Sequence, residues 1–70
     1  MKILIVDDEK SIRDMLTVFL VDLKYEVVAA GTVAEGLEKA KMFKPDTILL
    51  DVNLPDGTGL DFLRMMNRFR

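Results

Sequence analysis

Two short apolar runs, Ile3-Leu4-Ile5-Val6 and Ile48-Leu49-Leu50, end abruptly in carboxylates: Asp7-Asp8-Glu9 after the first and Asp51 after the second. Runs this short and rich in branched residues suit strands buried on both faces of a parallel sheet. Two such strands pointing the same way bring Asp7, Asp8 and Asp51 to one edge of the sheet. Open α/β sheets bind their ligands at that edge. Carboxylates gathered there repel one another, by roughly 4 kcal/mol per pair at ~4 Å and an effective dielectric near ~20. The cluster calls for a cation or a raised pKa, and a hard divalent ion held by oxygen is the natural answer.

The rest of the chain supports that sheet. Residues 2–6 read as the first strand. From about Lys10 to Leu23, Ile12, Met15, Leu16, Phe19, Leu20 and Leu23 recur at helical spacing and predict a core-facing stripe. Lys24-Tyr25 turns the chain into a second strand, Glu26–Ala30. Thr32 and Glu35 have the spacing of a capping box, and Val33, Ala34, Leu37 and Ala40 form the core stripe of the helix that follows. Pro45 disfavours helical angles at Lys44 and stops it. A third strand spans Thr47–Leu50, a loop runs from Asp51 to Gly59, and a third helix spans about Leu60 to Arg68. Strands alternating with helices through short connections imply a βαβαβα unit with right-handed crossovers.

Composition narrows the function. Seventy residues make one small domain, and a chain of that size buries roughly 60–65% of its unfolded surface, so its stability is marginal. With no cysteine and no histidine, the chain has neither a disulfide nor a soft metal site. A net charge of −2, with both signs dispersed, argues against a direct nucleic-acid surface. No apolar run approaches the ~18 residues of a membrane span, and Met1-Lys2 before a four-residue run is too short for a signal peptide. The expectation is a soluble, cytoplasmic domain with no membrane partner.

Each motif also has a plainer explanation. Acids after a first strand often cap the following helix, but one Asp would suffice where the chain has Asp7, Asp8 and Glu9. Asp51 alone would be an ordinary strand-end turn residue; beside Asp7 and Asp8 it becomes a candidate nucleophile or ligand. In Asp51-Val52-Asn53-Leu54-Pro55-Asp56-Gly57-Thr58-Gly59, the glycines permit a tight return, and Pro55 stiffens the loop so that the Asn53 carbonyl can point into the acidic cluster. Ile-Val-Asp-Asp-Glu after the first strand, Arg13, Lys-Pro-Asp before the third strand, and Leu-Leu-Asp-x-x-Leu-Pro-Asp-Gly-x-Gly-Leu together resemble a bacterial response-regulator receiver domain of a two-component system. The resemblance covers essentially all of the chain.

It implies a flavodoxin-like, doubly wound parallel sheet of which residues 1–70 are the βαβαβα half, strand order 2-1-3: a truncated receiver domain. By the same resemblance Asp51 is the phosphoacceptor. Mg²⁺ is held directly by Asp8, Asp51 and the Asn53 backbone carbonyl, while Asp7 acts largely through water. The implied partner is a sensor histidine kinase, and the module signals rather than acting as an enzyme. A complete receiver has two further strands that supply a Ser or Thr and a Lys to the phosphoryl oxygens. No residue here is assignable to those roles, since Lys2 begins a strand and Lys10 lies in a helix, so impaired phosphotransfer is expected.

The alternative function is a self-associating half-domain without chemistry. An open third strand lined by Ile48 and Leu50, together with a wide apolar surface from Leu60, Phe62, Leu63, Met65, Met66 and Phe69, predicts a homodimer or larger assembly through one of those surfaces. Met42, Phe43, Val18 and Val21 fall outside the predicted core stripes. A dehalogenase-type phosphatase would need Asp where Asn53 stands, and a dinucleotide or phosphate-loop site would need glycines in place of Asp7-Asp8-Glu9.

Overall fold

The computed structural model describes residues 1–66. A three-stranded parallel sheet is formed by β1 (Lys2–Val6), β2 (Glu26–Ala30) and β3 (Thr47–Leu50), in the order β2-β1-β3. Helices α1 (Lys10–Asp22), α2 (Val33–Phe43) and α3 (Gly59–Met66) follow the three strands. The expected βαβαβα order and the 2-1-3 sheet are both present. The Asp51–Gly59 segment, expected as a plain loop, contains a small antiparallel hairpin, β4 (Asn53–Leu54) and β5 (Gly57–Thr58), around Pro55-Asp56.

The central strand is the core. Ile3, Leu4, Ile5 and Val6 are all buried, because β1 has a neighbour on each side and a helix layer on each face. The two-residue pleat divides them. Leu4 and Val6 pack with Ala30, Val33, Ala40, Leu54 and Phe62 under α2 and α3, whereas Ile3 and Ile5 pack with Leu20 of α1. At the end of the sheet remote from Asp51, Asp46 and Lys2 exchange contacts. The Lys2 N–H donates to Asp46 Oδ2 and the Asp46 N–H donates to the Lys2 carbonyl, both at 2.8 Å. This clamp sets the start of β3 against the start of β1. On the outer side of β2, the Lys39 ammonium donates to the Ala29 carbonyl at 2.6 Å.

Several expected core positions are exposed. In α1 only Leu20 is buried and Leu16 packs beside it, while Met15, Phe19 and Leu23 lie open along with Val18 and Val21. One sheet face three strands wide reaches a single row of the helix. Ala34 of α2 is exposed, and its place in the core is taken by Gly36. On β3 the open apolar side chain is Leu49; Ile48 and Leu50 share the face of Leu4 and Val6 and pack into that core. In α3 Phe62 is fully buried and Met66 packs on the core, leaving Leu60, Leu63 and Met65 exposed. Phe69 and the last turn expected for α3 lie outside the described residues.

Both helix ends before a strand use a left-handed residue, Lys24 at φ 72° and Lys44 at φ 51°. Pro45 and the left-handed Lys44 together end α2, whose final turn closes with the Lys44 N–H donating to the Ala40 carbonyl at 3.0 Å.

Gly36 is where α2 and α3 approach. A Cβ there would stand 2.8 Å from Phe62 Cε2 and 3.2 Å from Val6 Cγ2. Gly36→Ala is therefore expected to lose stability through overpacking, by about 1–3 kcal/mol, offset by roughly 1 kcal/mol of helix propensity. Urea unfolding followed by circular dichroism measures the balance, and an unchanged or higher midpoint would show that Phe62 can move aside.

Candidate functional site

The sheet register assembles the site. Val6 lies opposite Ala30 on one side and Leu50 on the other. Pairing continues one residue further: the Asp7 N–H donates to the Ala30 carbonyl at 3.0 Å and the Asp51 N–H to the Val6 carbonyl at 2.9 Å. Asp7 and Asp51 are thus fixed by backbone bonds at the carboxyl edge of adjacent strands. Asp8 follows on the exposed turn into α1. Carboxylate oxygens of Asp7, Asp8 and Asp51 lie within 4.8 Å of one another. Asp7 and Asp51 are partly buried and Asp8 is exposed, so the cluster has a protein side and a water side.

Capping does not account for these acids. Glu9 is the N-cap residue of α1, yet its side chain makes no capping bond. Asp7 Oδ1 accepts the Glu9 N–H at 2.9 Å, a local turn bond and not a cap on the α1 helix. Arg13 steadies the same turn from α1, with Nη1 donating to the Asp7 carbonyl at 2.8 Å.

Asn53 opens the hairpin opposite Thr58 and is exposed. The Gly59 N–H donates to the Val52 carbonyl at 2.8 Å, the bond that flanks this pair. Asn53 and Thr58 therefore face one another without exchanging bonds, and the hairpin leaves the Asn53 carbonyl uncommitted. The need for glycine at 59 is steric, for no glycine has a positive φ. A Cβ on Gly59 would stand 2.7 Å from the Asp51 carbonyl oxygen, so the chain can return this close to the strand end only without one.

The hairpin is tied to both neighbouring helices. Thr58 and Asp61 cap α3 reciprocally: the Thr58 N–H donates to Asp61 Oδ2 at 3.0 Å and the Asp61 N–H to Thr58 Oγ1 at 3.1 Å. Asp56 reaches the start of α2, where its two oxygens accept the Val33 N–H at 2.7 Å and the Ala34 N–H at 3.0 Å. Those two backbone bonds hold the Asp56 carboxyl below its ordinary value. Thr32 caps the same helix as expected, accepting the Glu35 N–H at 3.1 Å. The return half of the box differs, for Glu35 Oε1 accepts from Gly31 at 2.7 Å, one residue before the cap. That bond, with the Lys39 ammonium 3.4 Å away, lowers the Glu35 pKa. The sequence reading missed the role of Asp56, and its Pro-Asp-Gly setting signals a turn without naming a partner 23 residues away.

The donor set fits a hard cation. Oxygens of an octahedral Mg²⁺ site stand about 3 Å apart when adjacent and about 4.2 Å when opposite. Carboxylate oxygens within 4.8 Å of one another are close enough to share such an ion, directly or through water. There is no histidine or cysteine in the chain to favour a softer metal.

Residues 3–70 match the family model for the response regulator receiver domain. The chain belongs to that family. The receiver is 42% identical over 67 residues to the KDP operon transcriptional regulatory protein KdpE of Escherichia coli, covering 96% of this chain and 30% of that protein. Among solved structures, it superposes on chemotaxis protein CheY4 of Vibrio cholerae with TM-score 0.90 at 42% identity, covering 96% of this chain and 56% of that one. On a CheY-like receiver from Methanospirillum hungatei the TM-score is 0.92 at 38% identity, covering 99% and 55%. The receiver thus spans under a third of KdpE and a little over half of these two solved chains.

In the absence of divalent cation, removing one charge from the cluster is expected to relieve repulsion. Asp8→Asn or Asp51→Asn should each stabilise the fold by about 1 kcal/mol, measured as a higher urea midpoint in EDTA. A clear fall for both would assign the acids to structural work.

Proposed function

We propose that this receiver is a signalling module whose Asp7, Asp8 and Asp51 form a Mg²⁺-dependent phosphoacceptor pocket, with Asp51 accepting the phosphoryl group. The observation that carries the reading is the convergence of three carboxylates that α1 does not use for capping. In the proposed step, an Asp51 carboxylate oxygen attacks phosphorus, an acyl-phosphate P–O bond forms, and the bond to the donor breaks with its electron pair leaving on the donor. Asp51, Asp8 and the Asn53 carbonyl would hold the cation directly, and Asp7 would act mainly through water. A Mg²⁺ ion held there supplies neutralisation of the charge gathered by phosphate and carboxylates. Membership of the family makes a sensor histidine kinase the proposed donor. No helix among the described residues is long and apolar enough to cross a membrane.

Transfer by these 70 residues alone should be slow. Lys10 is paired with Asp14 at 2.6 Å, Lys39 is bonded to Ala29, and Lys2 lies at the far end of β1, so none of these three serves the phosphoryl oxygens. Losing such a contact commonly costs ~10²–10³ in rate. Mg²⁺ titration followed by backbone NMR should move Asp8, Asp51 and Asn53 at millimolar ion, and Asp51→Ala should abolish the response. With acetyl phosphate, an acyl phosphate on Asp51 should form slowly or not at all. Silent amides would overturn the pocket. Rapid stoichiometric labelling would show that another group completes it.

A second reading, self-association, is favoured by the exposed apolar side chains. Leu60, Leu63 and Met65 line the open side of α3, and Met15, Val18 and Phe19 lie open on α1. The chain is then a homodimer or larger, and Leu63→Glu with Met65→Glu should dissociate an α3-mediated assembly while leaving an α1- or strand-mediated one intact. Sedimentation equilibrium reads both outcomes, and a folded monomer at high micromolar concentration would exclude this reading.

A further inference from the structure

The start of α2 presents three backbone N–H groups that precede its first intrahelical bond, in which the Gly36 N–H donates to the Thr32 carbonyl at 3.0 Å. Thr32 satisfies one of the three from within the helix's own segment; Asp56 satisfies the other two from the hairpin, one bond to each oxygen. The hairpin is thereby joined to α2 by two charge-assisted bonds. Three residues before Asp56 is Asn53, whose carbonyl the hairpin leaves uncommitted. Asp56 also sits between two anchored residues. Leu54 is buried in the core, and the space beside Gly57 is closed by Val33 and Asp61, 3.3 and 3.2 Å from where a Cβ would be.

We propose that Asp56 is a positioning residue for the cation pocket: by tying the hairpin to the α2 N-terminus it holds the Asn53 carbonyl at the height of Asp8 and Asp51. This rests on the pocket reading above, and Asp56 itself touches no cation. Removing the tie lets the hairpin move relative to β1 while Asp7 and Asp51 stay fixed by the sheet register. Cation affinity then falls without loss of any ligand, as it does when outer groups that orient metal ligands are removed.

The test compares Asp56→Ala, Asp56→Asn and Thr32→Ala in the 70-residue chain. Mg²⁺ is titrated while the backbone amides of Asp8, Asp51 and Asn53 are followed by NMR. Thr32→Ala removes a cap from the same helix without touching the hairpin, so it reports what loss of helix capping does by itself. Asp56→Ala is expected to raise the Mg²⁺ midpoint about tenfold. Asp56→Asn, which keeps one acceptor oxygen for Val33, should fall between Asp56→Ala and the parent. Thr32→Ala should leave the midpoint unchanged at a comparable loss of urea stability. Equal midpoints for Asp56→Ala and the parent would overturn the positioning role while leaving the pocket intact. So would equal shifts in Asp56→Ala and Thr32→Ala, since helix capping alone would then explain the effect. Should Asp56→Ala not fold, Asp56→Asn against Thr32→Ala decides on the same criterion. A parent chain whose amides ignore Mg²⁺ would overturn the pocket reading itself, and this proposal with it.

Discussion

Everything at the acidic edge depends on the parallel pairing of β1 with both neighbours and on its continuation by one residue past each strand end. The bonds from Asp7 to Ala30 and from Asp51 to Val6 extend the ladder into the acids, so the distance between Asp7 and Asp51 is set by strand spacing. Like charges would drift apart on flexible loops. Here the hydrogen-bonded sheet and the buried side chains of β1 hold them together, and the repulsion is carried as a cost of the fold. Burial of apolar surface on both faces of a single strand is what opposes that cost.

The same arrangement separates two kinds of rigidity. Asp7 and Asp51 inherit theirs from the sheet. Asn53 sits on a two-residue strand that would be unstable by itself, in a hairpin that side-chain bonds tie to the two neighbouring helix starts. Asp56 and the Thr58–Asp61 pair supply those bonds. The proposed pocket would thus be half sheet and half cap, the first long-range and apolar in origin, the second polar and local to the two helix starts.

That division also explains which parts of the molecule were legible in its sequence. Strand ends were readable because apolar runs stop sharply at Asp7 and Asp51, and the convergence of the acids follows from parallel topology alone. The α1 stripe was misread because periodicity reports which face is apolar and says nothing of how much opposing surface exists. Met15 and Phe19 fit the helical spacing as well as Leu16 and Leu20 do, but only the latter two pack against the sheet. Gly36 reads as a weak point in a helix, when it is the slot that admits the Phe62 ring. Asp56 was hidden for a different reason: a cap donated from another part of the chain leaves no local pattern, unlike Thr32 and Glu35.

The Lys39–Ala29 bond gives the sheet a direction. Ala29 belongs to the outward-facing set of β2 residues, since its neighbour Ala30 bonds inward to Asp7. A further strand joining at β2 would have to displace the ammonium from that carbonyl and leave Glu35 without its nearby cation. On β3, at the other flank of the sheet, Leu49 stands open. The two flanks of the sheet are therefore unlike: a polar side chain already holds the carbonyl on one, and an apolar side chain stands open on the other.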